Sequence, residues 1–180
     1  MRHTSFFTAT ILGTCLVVTS VFAMQTTDPR TVVRQLGLHV GQWRTTIRVT
    51  SAEITPAKKG YVVPAAARAE LRKKVGTSFS TNDCIGSEPD AKGDLILPGI
   101  NISHQCQLSN FSKNGSGFRL DASCGSASEG FHATTNIQSN FNNAKTNSDI
   151  KTKTFSQNAG IITNMVLTAS STYVGECRLR

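Results

Sequence analysis

From Gln42 onward the side chains alternate, with Trp43, Thr45, Ile47 and Val49 on one face of an extended segment and Arg44, Thr46, Arg48 and Thr50 on the other. A period of two places one set against a core and the other in water, which makes this a half-buried strand. The pattern returns in Ile100, Ile102, His104, Cys106 and Leu108, and again in Phe118, Leu120, Ala122 and Cys124, with Asn114-Gly115 between them as a hairpin signal. It continues through Phe131, Ala133, Thr135, Ile137 and Phe141, turns near 142–148, and runs through Ile150 and Thr154. It ends in Ile161, Met165, Leu167, Ala169, Tyr173 and Cys177. Residues 75–85 also look extended and form a second strand that stops near Cys84. The expectation is an all-β, mainly antiparallel, single-domain meander of about seven or eight strands, built as a curved sheet or a barrel. Periodicity alone leaves barrel, sandwich and open sheet as alternatives.

Two short helices interrupt the pattern. Asp28 can cap, Pro29 suits a first helical position, and Val32, Val33 and Leu36 share a side before Gly37, so a packing helix is expected over 29–36. Pro56 and Gly60 mark a loop. The run Pro64-Ala-Ala-Ala-Arg-Ala-Glu-Leu-Arg-Lys-Lys then has the composition of an exposed helix in the first inter-strand loop. Residues 86–99 are rich in turn formers.

At the N-terminus, Arg2 and His3 precede an apolar run that ends in Val21-Phe22-Ala23, the pattern of a cleavable secretory signal over residues 1–23. A lipidated Cys15 and a retained anchor are the alternatives. The expected organisation is a lead-in over 24–37 and a β domain over 38–180, with residues 52–74 as a basic, Ala-rich insertion. Export to the periplasm is expected, with secretion as the alternative. Apart from Cys15, four cysteines remain, Cys84, Cys106, Cys124 and Cys177, with no Cys-x-x-Cys among them, and this favours two disulfides. Cys84 and Cys106 flank one turn region, so the favoured pairs are Cys84 with Cys106 and Cys124 with Cys177.

The chain carries 19 Lys and Arg against 11 Asp and Glu, a formal charge of +8. That excess is concentrated in the insertion, in Lys58, Lys59, Arg68, Arg72, Lys73 and Lys74. Such a stretch suits anionic lipid headgroups or lipopolysaccharide phosphates. Nucleic acid is not expected, because no aromatic residues interleave with the charges. No catalytic or nucleotide-binding motif is present. His104 would need a nucleophile or carboxylate beside it to act in catalysis, and a backbone-bonded role is expected instead. His132 falls on the polar face and reads as solvated. Asp83, Glu88, Asp90 and Asp94 lack the ligand spacing of a calcium loop and read as turn formers. Trp43 reads as a core anchor. No cofactor and no metal are expected.

These residues resemble a family of bacterial exported proteins, domain-of-unknown-function family 3617. The resemblance rests on Gly41-Gln42-Trp43-Arg44 opening the first strand, Cys84-Ile85 closing a polar one, Cys106 and Cys124 in mid-chain, and Gly175-Glu176-Cys177 at the end. It covers about residues 38–178. It implies a periplasmic protein of Gram-negative bacteria and names no catalyst or cofactor. The family often has a Pro- and Met-containing loop where this chain has its basic segment.

The function expected from export, fold and charge is non-enzymatic: binding of a small apolar or amphipathic ligand, or contact with an anionic envelope surface. An inhibitor or chaperone-like partner of another exported protein is the alternative, and an enzyme with a dispersed site is less favoured. Envelope lipid, lipopolysaccharide or another exported protein are the expected partners.

Overall fold

The computed structural model describes residues 26–142, 144–156 and 159–177. The expected signal segment and Cys15 lie outside them. Helix α1, Pro29–Leu36, begins where Asp28 accepts the Arg30 amide at 3.3 Å and ends at Gly37, whose φ is 62°. The strands are β1 (Gly41–Pro56), β2 (Ser78–Ile85), β3 (Leu95–Leu97), β4 (Ile100–Ile102), β5 (Gln107–Asn114), β6 (Gly117–Ser126), β7 (Phe131–Asn142), β8 (Lys145–Ser156) and β9 (Ile161–Gly175). A second helix, α2 (Ala65–Lys74), lies between β1 and β2, and a single 3-10 turn, Ala127–Glu129, joins β6 to β7.

Seven strands form one antiparallel sheet in the order β2-β1-β9-β8-β7-β6-β5, and β3 pairs only with β4. An antiparallel sheet, and not a barrel, is therefore the alternative observed. β2 and β5 stand at opposite edges and do not pair, so the sheet is not a closed barrel. The order also explains the two-layered core. Between β2 and β5 the chain must pass from one edge of the sheet to the other, and it crosses the apolar face. On the way, the turn-rich stretch delivers Leu95, Leu97 and Ile102 onto that face, and α1 adds Val32 and Leu36. The sheet contributes Ile47, Leu120, Ile137, Ile150 and Ala169. Burial of these side chains, at roughly 1.5–3 kcal/mol for each Val, Leu and Ile, is the main favourable term in the fold.

The alternation of β1 breaks at a bulge. Val49 pairs with Leu167 but Ser51 pairs with Val166, so from Ala52 onward the facing is inverted. Residues 52–56, expected in the insertion, instead pair with Ile161–Met165 and continue β1 to Pro56, a continuation that the inverted facing hides in the sequence. Another expectation is corrected between β4 and β5. Residues 100–108 do not form one strand, because a turn at Ser103–Cys106 divides it. His104 therefore sits on an exposed turn and not on the apolar face. The β5–β6 loop comprises Gly115 and Ser116, one place beyond the expected pair, with Gly115 at φ 57° supplying the left-handed turn residue.

Candidate functional site

β2 pairs with β1 only over Gly41–Arg48. The rest of β1 would present unpaired backbone groups on that side, a liability for any edge strand. Here the chain turns at Lys58–Gly60, and α2 returns alongside, with Leu71 half-buried and Arg68 and Arg72 bordering a groove along Ala52–Pro56. The amide of Gly76 then bonds the Val49 carbonyl at 2.8 Å and the Val49 amide bonds the Thr77 carbonyl at 3.1 Å. Covering an edge is thus the structural role of the insertion. It leaves α2 with no fully buried residue.

The six basic residues form a strip along this edge. Lys58 and Lys59 lie in the turn at its start, Arg68 and Arg72 on the helix, and Lys73 and Lys74 at its end, all exposed. A ten-residue helix separates the two ends by about 15 Å. Lys73 pairs with Glu70 at 2.6 Å, an exposed contact that contributes little. The strip also carries something charge patterning did not reveal. Tyr61, Val62, Val75 and Phe79 are four of the seven exposed large apolar residues among the described residues, and Val62 is 79% exposed. Tyr61 and Val62 stand just before α2 and Val75 just after it, while Phe79 lies on β2 opposite Ile47, so each end of the strip combines lysines with unburied hydrocarbon. Their proximity to the lysines in sequence was a usable signal. Their exposure was not, since Val63 between Val62 and Pro64 is buried.

The four cysteines form two disulfides, but the favoured pairing is corrected. Cys84 bonds Cys177, with Cα atoms 5.6 Å apart, and Cys106 bonds Cys124 at 4.3 Å. Cys84 and Cys106 do flank the segment 85–105, yet that segment crosses the sheet and leaves them on opposite edges. β2 and β9 both flank β1, where Gln42 faces Cys84 on one side and Gly175 on the other, so Cys177 reaches over the start of β1. Cys106 precedes Gln107, the partner of Ser123, and so lies directly across from Cys124.

The acidic residues are occupied within the crossing segment. Asp83 accepts the Gly99 amide at 2.9 Å, Asp90 the Asp94 amide at 2.8 Å, and Glu88 pairs with Arg34 at 3.0 Å. Among the described residues no three His, Cys, Asp or Glu side chains are grouped to hold a metal ion. His104 does have a carboxylate beside it: Asp94 accepts both its amide and its Nδ1, each at 2.8 Å. The amide bond first, then the ring bond, holds the Asp94 carboxyl below its ordinary value. A depressed carboxyl stabilises the fold above its unfolded pKa, and that contribution is lost as pH falls through the folded one. In His104→Ala the ring bond is lost and the amide bond kept. The Asp94 carboxyl midpoint, followed by NMR, is therefore expected to rise part of the way back; an unchanged midpoint would contradict the assignment. His132 also differs from expectation, since it is half-buried with Nε2 2.9 Å from the Ser123 hydroxyl.

The interior offers little space for a ligand, because Leu120 and Ile137 are wholly buried where strands and crossing segment meet. An apolar crevice of about 260 Å³ remains between α1 and the start of β1, lined by Val33, Leu36, Leu38, Ile85 and Leu97. It lies just under the usual size of small-molecule sites. Among the described residues no helix is long and apolar enough to cross a membrane.

Gly41, at φ 141°, opens β1 against the Gly175 carbonyl and the Tyr173 ring, where a Cβ would collide with both. Trp43 is fully buried two residues on. The first and last sequence motifs therefore meet in space and form one structural unit. Neither a curated protein nor a solved structure matches the chain. A family model described as "Protein of unknown function (DUF3617)" matches residues 38–177, from just before Gly41 to Cys177, and the chain belongs to that family.

Proposed function

We propose that the protein is a non-enzymatic, periplasmic domain that docks on an anionic envelope surface through the strip along α2. The observation that carries this reading is the pairing of basic and exposed apolar side chains at both ends of the helix. Lys58 and Lys59 accompany Tyr61 and Val62, and Lys73 and Lys74 accompany Val75. An edge cover alone needs neither. Cations near an anionic leaflet contribute about 1 kcal/mol each, and apolar side chains add attraction that salt does not screen.

The test is co-sedimentation with phosphatidylglycerol-containing vesicles against phosphatidylcholine vesicles. Binding to the former is expected, weakening as salt rises. Reversing Lys58, Lys59, Arg72 and Lys73 to Glu is expected to lower partitioning by about a thousandfold or more. Val62→Asp should weaken the salt-resistant remainder. Equal binding to both vesicle types, or binding untouched by the charge reversal, would overturn the reading.

A further inference from the structure

The sheet face opposite Leu120, Ile137 and Ile150 is polar, and the register arranges its side chains in rows. One row runs Ser109, Asp121, Asn136, Lys151 and Val166 across β5 to β9; the next runs Ser123, Thr134, Lys153 and Asn164. These rows line a cleft of about 870 Å³, well within the range of small-molecule sites. Five strands at about 4.8 Å spacing make it roughly 19 Å long. Such a shape suits an extended ligand.

Its charge is one-sided. Arg119, Lys151 and Lys153 line it, with Asp121 as the one lining carboxylate and Asp149 two residues from Lys151 on the same face, just outside it. Asp121 is already engaged, accepting the Asn110 amide at 2.7 Å and the Asn136 amide from the facing strand. Among the described residues none of the three cations is in an ion pair, whereas Arg34 and Lys73 elsewhere have acidic partners. Lys151 and Lys153 project from the same face two residues apart, about 6–7 Å between Cα atoms. Lys151 has Asn136 and Val166 as cross-strand neighbours and Lys153 has Thr134 and Asn164, all uncharged. Hydrocarbon is also present, from Val166 and the stems of the lysines.

We propose that this cleft binds an elongated amphipathic anion, a carboxylate or phosphate monoester on a hydrocarbon chain. Lys151 and Lys153 hold the head group, the Asn164 amide supplies a further donor, and the chain lies along the cleft. The site is independent of the α2 strip, since it uses different strands and none of the same residues.

The experiment is calorimetric titration of the purified protein with dodecanoate and with dodecyl phosphate, each below its micellar concentration, and with inorganic phosphate. Both chain-bearing anions are expected to bind at least tenfold more tightly than inorganic phosphate. Lys151→Glu/Lys153→Glu is expected to lower that affinity at least tenfold, while Lys58→Glu/Lys59→Glu leaves it unchanged. Tighter binding of one chain-bearing anion than the other identifies the head group within the proposed class. NMR amide shifts confined to the strands that line the cleft, β5 to β9, give a second readout that does not depend on any variant. The proposal is overturned if neither amphiphile binds, if inorganic phosphate binds as well as they do, or if the Lys151/Lys153 variant retains full affinity. Loss of affinity in the Lys58/Lys59 variant instead would assign amphiphile binding to the α2 strip.

Discussion

Removing the Cys84–Cys177 disulfide, as Cys84→Ser/Cys177→Ser, is expected to lower the unfolding free energy by about 4–5 kcal/mol, whereas Cys106→Ser/Cys124→Ser costs about 3 kcal/mol. The difference follows from the lengths of chain enclosed. The first bond joins residues 93 apart and the second residues 18 apart. In the chain-entropy account, the longer loop removes more freedom from the unfolded ensemble. The native state points the same way. Along β2, Ile85 is the one buried residue, and the strand pairs only with β1, so the disulfide at its end is the covalent tie holding this edge. Since domains of this kind have a total stability of about 5–15 kcal/mol, the loss is a large share of it. Urea denaturation of the two double variants measures both effects, and amide exchange in the first should show β2 losing protection ahead of β7 and β8. Equal costs, or a larger cost for the Cys106–Cys124 bond, would refute the argument.

What could be read in the sequence divides along physical lines. Alternation located β6 to β9 because each runs for ten residues or more with buried positions two apart, whereas the run Ile100 to Leu108 reached only the start of β5; α1 was legible because Asp28, Pro29 and Gly37 mark both its ends. β3 was not legible. Leu95-Ile96-Leu97 is too short to show a period, and turn formers surround it, although Leu95 and Leu97 are almost wholly buried. Its burial depends on the route from one sheet edge to the other, a property of strand order and not of local pattern. The disulfide pairing failed for the same reason: proximity across a turn was assumed where the chain traverses the sheet. In the α2 strip the charges were visible, but the exposed Val62 and Val75 were not, because an apolar residue in sequence carries no mark of which side it faces. The cleft over β5 to β9 was invisible, since it arises from rows assembled by five strands at once.

Trp43→Ala is expected to destabilise the protein by about 3–5 kcal/mol, the usual range for emptying a buried aromatic site. Trp43 is fully buried, donates from Nε1 to the His39 carbonyl at 2.9 Å, and meets the Tyr173 ring edge-on at 6.0 Å. Trp43→Phe keeps most of the volume but loses that hydrogen bond, so a further loss of about 0.5–1.5 kcal/mol is expected from the bond. As the chain has a single tryptophan, unfolding of these variants must be followed by far-ultraviolet circular dichroism. The two aromatic residues belong to strands that begin and end the sheet's sequence, and Tyr173 also contacts His39 and closes over Gly41. A double-mutant cycle between Trp43 and Tyr173 should therefore give a coupling of about 0.5–1.5 kcal/mol. Additive losses would mean that the family's opening Gly-Gln-Trp-Arg and closing Gly-Glu-Cys are held by the β1–β9 backbone ladder and the disulfide, with the rings only filling space. A coupling in that range would make the ring pair an energetic link between the first strand and the last, and would explain why a glycine must stand at 41: a Cβ there would collide with the Tyr173 ring and displace it from Trp43.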